Sequence, residues 1–224
     1  MRVHSSLPVL REFPDTPDDP YVVQMPRKPG ELILAELAAT QPREFMWEFQ
    51  EDTQHWLHIP GENVVTTAER EGKIVAVSVG MTVPYPNDFA SSRNSAFYHI
   101  HPRSTAVQRD SPYPDAAEKV LNQLPSDPDI AASVRLAARG GYRDFRIVTD
   151  IGTTALTFDA QTFIQSGQPG INLSVYRPSH TDMMEYTGTP VQTIEDIVVT
   201  QNNYFDPLLR ISFRPHVSSS IDDL

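Results

Sequence analysis

Ala96-Phe97-Tyr98-His99-Ile100-His101-Pro102 is the stretch on which the reading of this chain turns. An apolar run leads into two histidines separated by one residue, and a proline closes it. Side chains two apart along an extended backbone point the same way, so a strand here delivers both imidazoles to one face of a sheet. Downstream, Pro125-Ser126-Asp127-Pro128-Asp129-Ile130 opens a helical pattern. A carboxylate at the start of that helix can complete a three-ligand metal site with an open fourth position. That is the arrangement of a catalytic zinc rather than a structural one.

Composition narrows the chemistry. The chain has no cysteine, which removes thiol nucleophiles, disulfides and thiolate zinc sites and leaves histidine and carboxylate as metal ligands. A formal charge of −11 lacks the basic footprint that neutralises phosphates, so nucleic acid is not an expected partner and a basic protein surface suits better. No apolar stretch is long enough to span a bilayer, and Met1-Arg2-Val3-His4-Ser5-Ser6 opens no signal-peptide core. The expectation is a soluble cytoplasmic protein, or a bacterial effector exported without such a signal. The 224 residues suffice for one full core with extensions, or for a large domain and a small one. Lys28, Lys73 and Lys119 are the only lysines against fifteen arginines; coding bias accounts for that, as would avoidance of self-modification in a protein that handles lysine-linked substrates.

Residues 1–29, with Pro8, Pro14, Pro17, Pro20, Pro26 and Pro29, read as an extended arm rather than a packed element. Ile33, Leu34, Leu37 and Ala38 predict a helix over 31–40, stopped at Gln41-Pro42. Residues 44–50 predict a strand with Phe45, Trp47 and Phe49 on one face and Glu44, Met46 and Glu48 on the other. Further strands are expected over 56–67 and 73–83. Ala116, Ala117, Val120, Leu121 and Leu124 predict a short helix, and a second runs from near Ser126 to Gly140-Gly141. Residues 146–149 and 153–158 read as paired strands about Asp150-Ile151-Gly152. From about residue 160 onward the pattern is strand-like at 172–176, 197–200 and 208–213, with little helical signal. Mixed helix and strand order makes an α+β or α/β/α domain the expected class.

The histidine pair with its proline, and the Ser-x-x-Asp segment, together resemble the JAMM, or MPN+ (JAB-type), zinc metalloprotease family. Arg146-Ile147-Val148-Thr149-Asp150-Ile151-Gly152-Thr153-Thr154 is similar to the strand–turn–strand segment that follows the site helix there, and the resemblance covers residues 30–160. It implies an MPN/JAB-like, cytidine-deaminase-like sheet flanked by helices, followed here by a β-rich extension over 161–224. It also implies that His99, His101 and Asp129 bind zinc and that Ser126 donates a hydrogen bond to the oxyanion of the attacked carbonyl. An upstream glutamate would be the general base. Glu44, which opens the strand after the first helix, is the choice, with Glu48 on the same strand face as the alternative. The implied activity is isopeptide hydrolysis releasing ubiquitin or a ubiquitin-like modifier from a lysine side chain.

Elementary chemistry asks for the same parts. Amide hydrolysis at neutral pH needs an activated water, and zinc lowers the pKa of its water to about 7. A glutamate beside that water can take its proton and hand it to the leaving amine. A fixed donor stabilises the oxyanion, and losing one such donor costs about 10²–10³ in rate.

Two departures stand out. Ile100 replaces the serine or threonine usual between the family's histidines. Some 24 residues separate His101 from Ser126, well beyond the family's short spacing. Residues 103–124 therefore read as an insertion looping out beside the cleft, either a lid or substrate-contacting flap or mere decoration. Ser126-x-x-Asp129 also reads as a plain helix capping box, and a cap and a catalytic role share a helix start. His55 and His58 read as surface residues, and His180 with Asp182 and Glu185 as a loop. Two other functions remain open on sequence: a RadC-like or MPN-type scaffold without catalysis, and a zinc amidohydrolase of another small amide.

Overall fold

The computed structural model of the chain describes residues 22–40, 44–59, 62–70, 73–82, 95–102, 113–140, 144–158, 178–205 and 209–216. In chain order they form β1 (Val22–Gln24), α1 (Arg27–Thr40), β2 (Phe45–Gln50), β3 (His55–Ile59), β4 (Glu62–Arg70), β5 (Lys73–Thr82) and β6 (Ser95–Ile100). Then come α2 (Asp115–Gln123), α3 (Asp127–Gly140), β7 (Asp144–Val148), β8 (Gly152–Phe158), α4 (His180–Met184), α5 (Pro190–Phe205) and β9 (Leu209–Pro215). Seven strands make one sheet in the order β1-β3-β2-β6-β7-β8-β9, and β4 and β5 pair in a hairpin of their own. Within the seven, β6 and β7 run parallel and the other neighbours antiparallel. A parallel pair needs a crossover, and α2 and α3 supply it. The class is α+β.

Strand pairing sorts the core onto two faces. Met46 lies opposite His99 and Glu48 opposite Phe97, while Trp47 lies opposite Tyr98 and Phe45 opposite Ile100. On the first face Met46, Phe97, Phe145, Ile147, Leu156 and Ile211 pack with Ala117 and Val120 of α2, Ile130 of α3, and Ile194 and Val198 of α5. On the second, Trp47, Phe49, Trp56, Tyr98 and Ile100 pack beneath Leu34, Leu37 and Ala38 of α1. Helix α1 sits so close that a Cβ on Gly30 would fall 2.3 Å from Trp56 Cε2. A polar cluster ties the same helix down: the Tyr98 hydroxyl donates to Glu31 Oε1 at 2.7 Å, and Arg27 donates to that hydroxyl and to Asp144, each at 2.7 Å.

Several expectations need correction. Part of the proline-rich arm is packed: Val22–Gln24 pairs with β3, and α1 begins at Arg27, ahead of the expected residue 31. Proline is tolerated in a first helical turn, where its missing N–H has no intrahelical partner. The strand expected over 56–67 is two strands, divided where the sequence has Pro60-Gly61. Residues 197–200 are helical, inside α5. The β-branched run Ile197-Val198-Val199-Thr200 imitates a strand, but Ile194, Val198 and Gln201 recur on one helical face and bury it. The short helix expected over 116–124 is present as α2, and with Ala117, Val120 and Leu124 buried this end of the 103–124 stretch is core rather than surface loop. Its residues 103–112, like the strand expected at 172–176, lie outside the described residues. Strand β9, late in the chain, pairs with β8 and so belongs to the same sheet as the histidines. Among the described residues no helix is long and apolar enough to cross a membrane.

Candidate metal centre

Backbone pairing carries the two histidines to one place. The His101 N–H donates to the Val148 carbonyl at 2.9 Å, so the β6–β7 pairing continues past Ile100 and both imidazoles keep the same face. Glu44 precedes β2 by one residue and Met46, opposite His99, lies two further on. Glu44 therefore reaches the same end and face of the sheet. Helix α3 aims its first turn at this end and brings Asp129 with it.

The contacts are close. His99 Nδ1 lies 2.8 Å from Asp129 Oδ1, and its Nε2 lies 3.2 Å from Glu44 Oε2. His101 Nε2 is 3.6 Å from Asp129 Oδ2, and its Nδ1 is 2.7 Å from the Asn122 carbonyl. The two rings stand nearly perpendicular, 4.6 Å apart between centroids. His99, His101 and Asp129 are buried and Glu44 is half-buried. The capping box is fully made as well. Ser126 donates its N–H and its hydroxyl to Asp129 Oδ2 at 2.7 and 2.6 Å, and the Asp129 N–H donates back to Ser126 Oγ at 3.3 Å. Asp129 is thus at once a helix cap and the carboxylate between the two imidazoles.

Electrostatics follow from that crowding. Burial by itself would lower the His99 pKa, but the Asp129 and Glu44 carboxylates on its two nitrogens push it up to about 10. Burial would raise the Asp129 carboxyl, and the His101 and His99 rings instead hold it well below the usual carboxylate range. Two carboxylates facing one imidazole thereby favour positive charge at this spot.

The donor set suits a metal ion. Glu44, His99 and His101 each offer a ligand atom within 4.8 Å of the others. A tetrahedral ion with bonds near 2.0–2.1 Å holds its donors about 3.4 Å apart. The His99 Nε2–Glu44 Oε2 separation of 3.2 Å is close to that spacing, whereas Asp129 meets His99 through the other ring nitrogen and stands outside this three-residue group. Two imidazoles with the Glu44 carboxylate form a group that can bind a divalent ion, and with no thiolate among them borderline-hard ions are favoured.

Other singled-out residues stand elsewhere. Glu48 faces Phe97, further down the strand from His99, and is fully buried; burial raises its carboxyl above the usual range. His58, expected at the surface, is buried on the opposite face of the sheet with its ring 5.0 Å from Trp47, and burial lowers its pKa to about 4. Asp182 accepts from the Ser179 hydroxyl at the start of α4, and Ser179 Oγ accepts the Asp182 N–H. The residue that sequence reasoning missed is Asn122, whose contribution to the site is a backbone carbonyl and so leaves no side-chain signature. A scan against protein-family models finds none that matches, and neither the curated proteins nor the solved structures give a match.

Proposed function

We propose that this chain is a zinc-dependent isopeptidase of JAMM type, hydrolysing amide bonds that join ubiquitin or a ubiquitin-like modifier to a lysine side chain. One observation carries the reading. Glu44, His99, His101 and Asp129, drawn from three separate parts of the chain, meet at one end of the sheet with Ser126 beside them. His99 and His101 with one carboxylate would hold the ion: Asp129 on the resemblance, or Glu44 on its grouping with the two imidazoles. Zinc, when bound, supplies a Lewis acid that acidifies a water and polarises an amide carbonyl.

The remaining work falls to the protein. The carboxylate not engaged as a ligand is the proton carrier, taking a proton from the water and giving it to the departing amine. On the resemblance that group is Glu44, half-buried at the site edge and so within reach of both solvent and substrate. Ser126 can serve as oxyanion donor only by swinging its hydroxyl away from Asp129 Oδ2, where it now lies 2.6 Å away. The acidic chain favours a substrate protein with a basic surface.

Metal analysis of purified protein, paired with a ubiquitin-chain cleavage assay, tests this. One zinc per chain, cleavage by the wild type and none by His101→Ala are expected. Zinc without cleavage of any ubiquitin-like conjugate would redirect the reading to another amide. No zinc uptake would leave a scaffold.

A further inference from the structure

The stretch that lengthens the spacing between His101 and the Ser126 helix does more than loop out. Its helix α2 ends at Gln123, and Leu124 leaves it in an extended conformation with φ −78° and ψ 138°. The last carbonyls of a helix have no intrahelical amide to accept from. For Asn122 the natural partner, four residues on, is the N–H of Ser126, and that group is donated to Asp129 Oδ2 at 2.7 Å. The orphan Asn122 carbonyl turns instead to His101 Nδ1 at 2.7 Å. The Asn122 side chain grips the same residue a second time, Nδ2 donating to the His101 carbonyl at 3.3 Å.

The neighbouring residue anchors that turn. Gln123 is fully buried, and the amide orientation that satisfies both its ends saturates it. Its Nε2 donates to Thr149 Oγ1 at 2.6 Å and to the Gly152 carbonyl at 3.1 Å. Its Oε1 accepts from the Thr154 N–H at 3.2 Å and hydroxyl at 2.8 Å. These partners sit at the β7–β8 turn, directly after Val148, whose carbonyl fixes the His101 backbone.

We propose that the C-terminal turn of α2 positions His101 for metal binding: the Asn122 carbonyl accepts a hydrogen bond from Nδ1–H and so presents Nε2 to the ion, while Gln123 holds that carbonyl in place. This rests on the metal-centre reading above. A histidine ligand needs its second nitrogen fixed by an acceptor, because that contact sets both the tautomer and the ring angle; removing such a partner typically costs about 10–100-fold in metal affinity. Asn122 and Gln123 are positioning residues on this account, not ligands.

The test uses the full chain loaded with zinc. Long-range proton–nitrogen correlation on ¹⁵N-histidine protein should show His101 protonated at Nδ1 and metal-bound at Nε2. Competition against a chelator should show zinc affinity weakened about tenfold or more in Gln123→Met, and weakened in the same direction in Asn122→Ala. The His101 nitrogen shifts should move in both variants. If Gln123→Met fails to fold, Asn122→Ala, a milder change at a half-buried side chain, decides with the wild-type spectrum. Zinc on Nδ1 of His101, or variants that bind zinc as tightly as wild type with unmoved shifts, would overturn the proposal while leaving the metal centre standing. A wild type that takes up no zinc overturns both.

Discussion

Asp129→Asn is the substitution that most sharply probes the centre. Shape is conserved, and only the charge and one acceptor are lost. In the native site Oδ1 faces His99 Nδ1 at 2.8 Å while Oδ2 takes two hydrogen bonds from Ser126. An asparagine amide has one oxygen for these two sides, so it can accept from Ser126 or from His99 Nδ1 but not from both. The lost charge-assisted bond to His99 is worth about 1.5–3 kcal/mol. The imidazoles also lose a buried counterion, and breaking such a pair typically costs about 3–5 kcal/mol. Metal-free Asp129→Asn should therefore unfold in urea at pH 7 with a deficit of that order, about 3–5 kcal/mol. Ser126→Ala, which removes the cap but leaves the carboxylate, should lose only about 1 kcal/mol. Added zinc should widen the gap. At free zinc of 100 times Kd the wild type gains about 2.7 kcal/mol, and a variant without the ligand set gains nothing. A deficit no larger than that of Ser126→Ala, with zinc stabilisation intact, would show Asp129 to be a cap and nothing more.

Four further outcomes are expected. Glu44→Gln should lower turnover by about 10²–10⁴ with zinc retained if Glu44 carries the proton, whereas loss of zinc would make it a ligand; Glu48→Gln, away from the site, should change neither zinc content nor rate. His58 has a folded pKa of about 4 against an ordinary 6.5, so between these values the unfolded state binds the extra proton and stability falls as pH falls. From pH 7 to pH 5 that amounts to about 2 kcal/mol, and His58→Phe should remove this part of the slope in paired urea titrations. Gln201 is fully buried, and among the described residues neither amide atom has a hydrogen-bond partner, so Gln201→Met should raise stability by about 1–2 kcal/mol in thermal or urea unfolding. Gly30→Ala drives a methyl to 2.3 Å from the Trp56 indole and should cost about 1–3 kcal/mol by the same measurement.

How far the fold could be read from the sequence depended on whether a pattern was local. The alternation along Phe45–Gln50 fixed which residues of β2 share a face, because a period of two leaves no other choice once the segment is extended. The capping signal at Ser126 located the start of α3 to within one residue. Where local pattern and tertiary partner disagreed, the partner won. Val198 and Val199 favour a strand by type, yet the buried stripe of Ile194, Val198 and Gln201 lies against β9 as a helix. His58 is polar by type and sits between Leu57 and Ile59, but its cross-strand neighbour is Trp47, which no single-strand pattern can disclose.

The site shows the same division at finer grain. Its side chains were nameable because imidazole and carboxylate at strand end and helix start are the groups that metal chemistry requires. Their convergence across the 24-residue excursion had no local signature. It is built from backbone contacts: the Val148 carbonyl extending the strand to His101, and the Asn122 carbonyl orienting its ring. Both are main-chain atoms that any residue could provide, and the second becomes available because a neighbouring bond has been spent elsewhere. The Ser126 amide, committed to Asp129, leaves the Asn122 carbonyl without its helical partner. One capping interaction thus fixes the carboxylate between the rings and frees the acceptor that aims the second histidine. Loss of the acceptor for the Ser126 amide should accordingly disturb His101 as well, visible as a shift of the His101 ring nitrogens in Asp129→Ala; an unmoved His101 would show that the two ends of the excursion are independent.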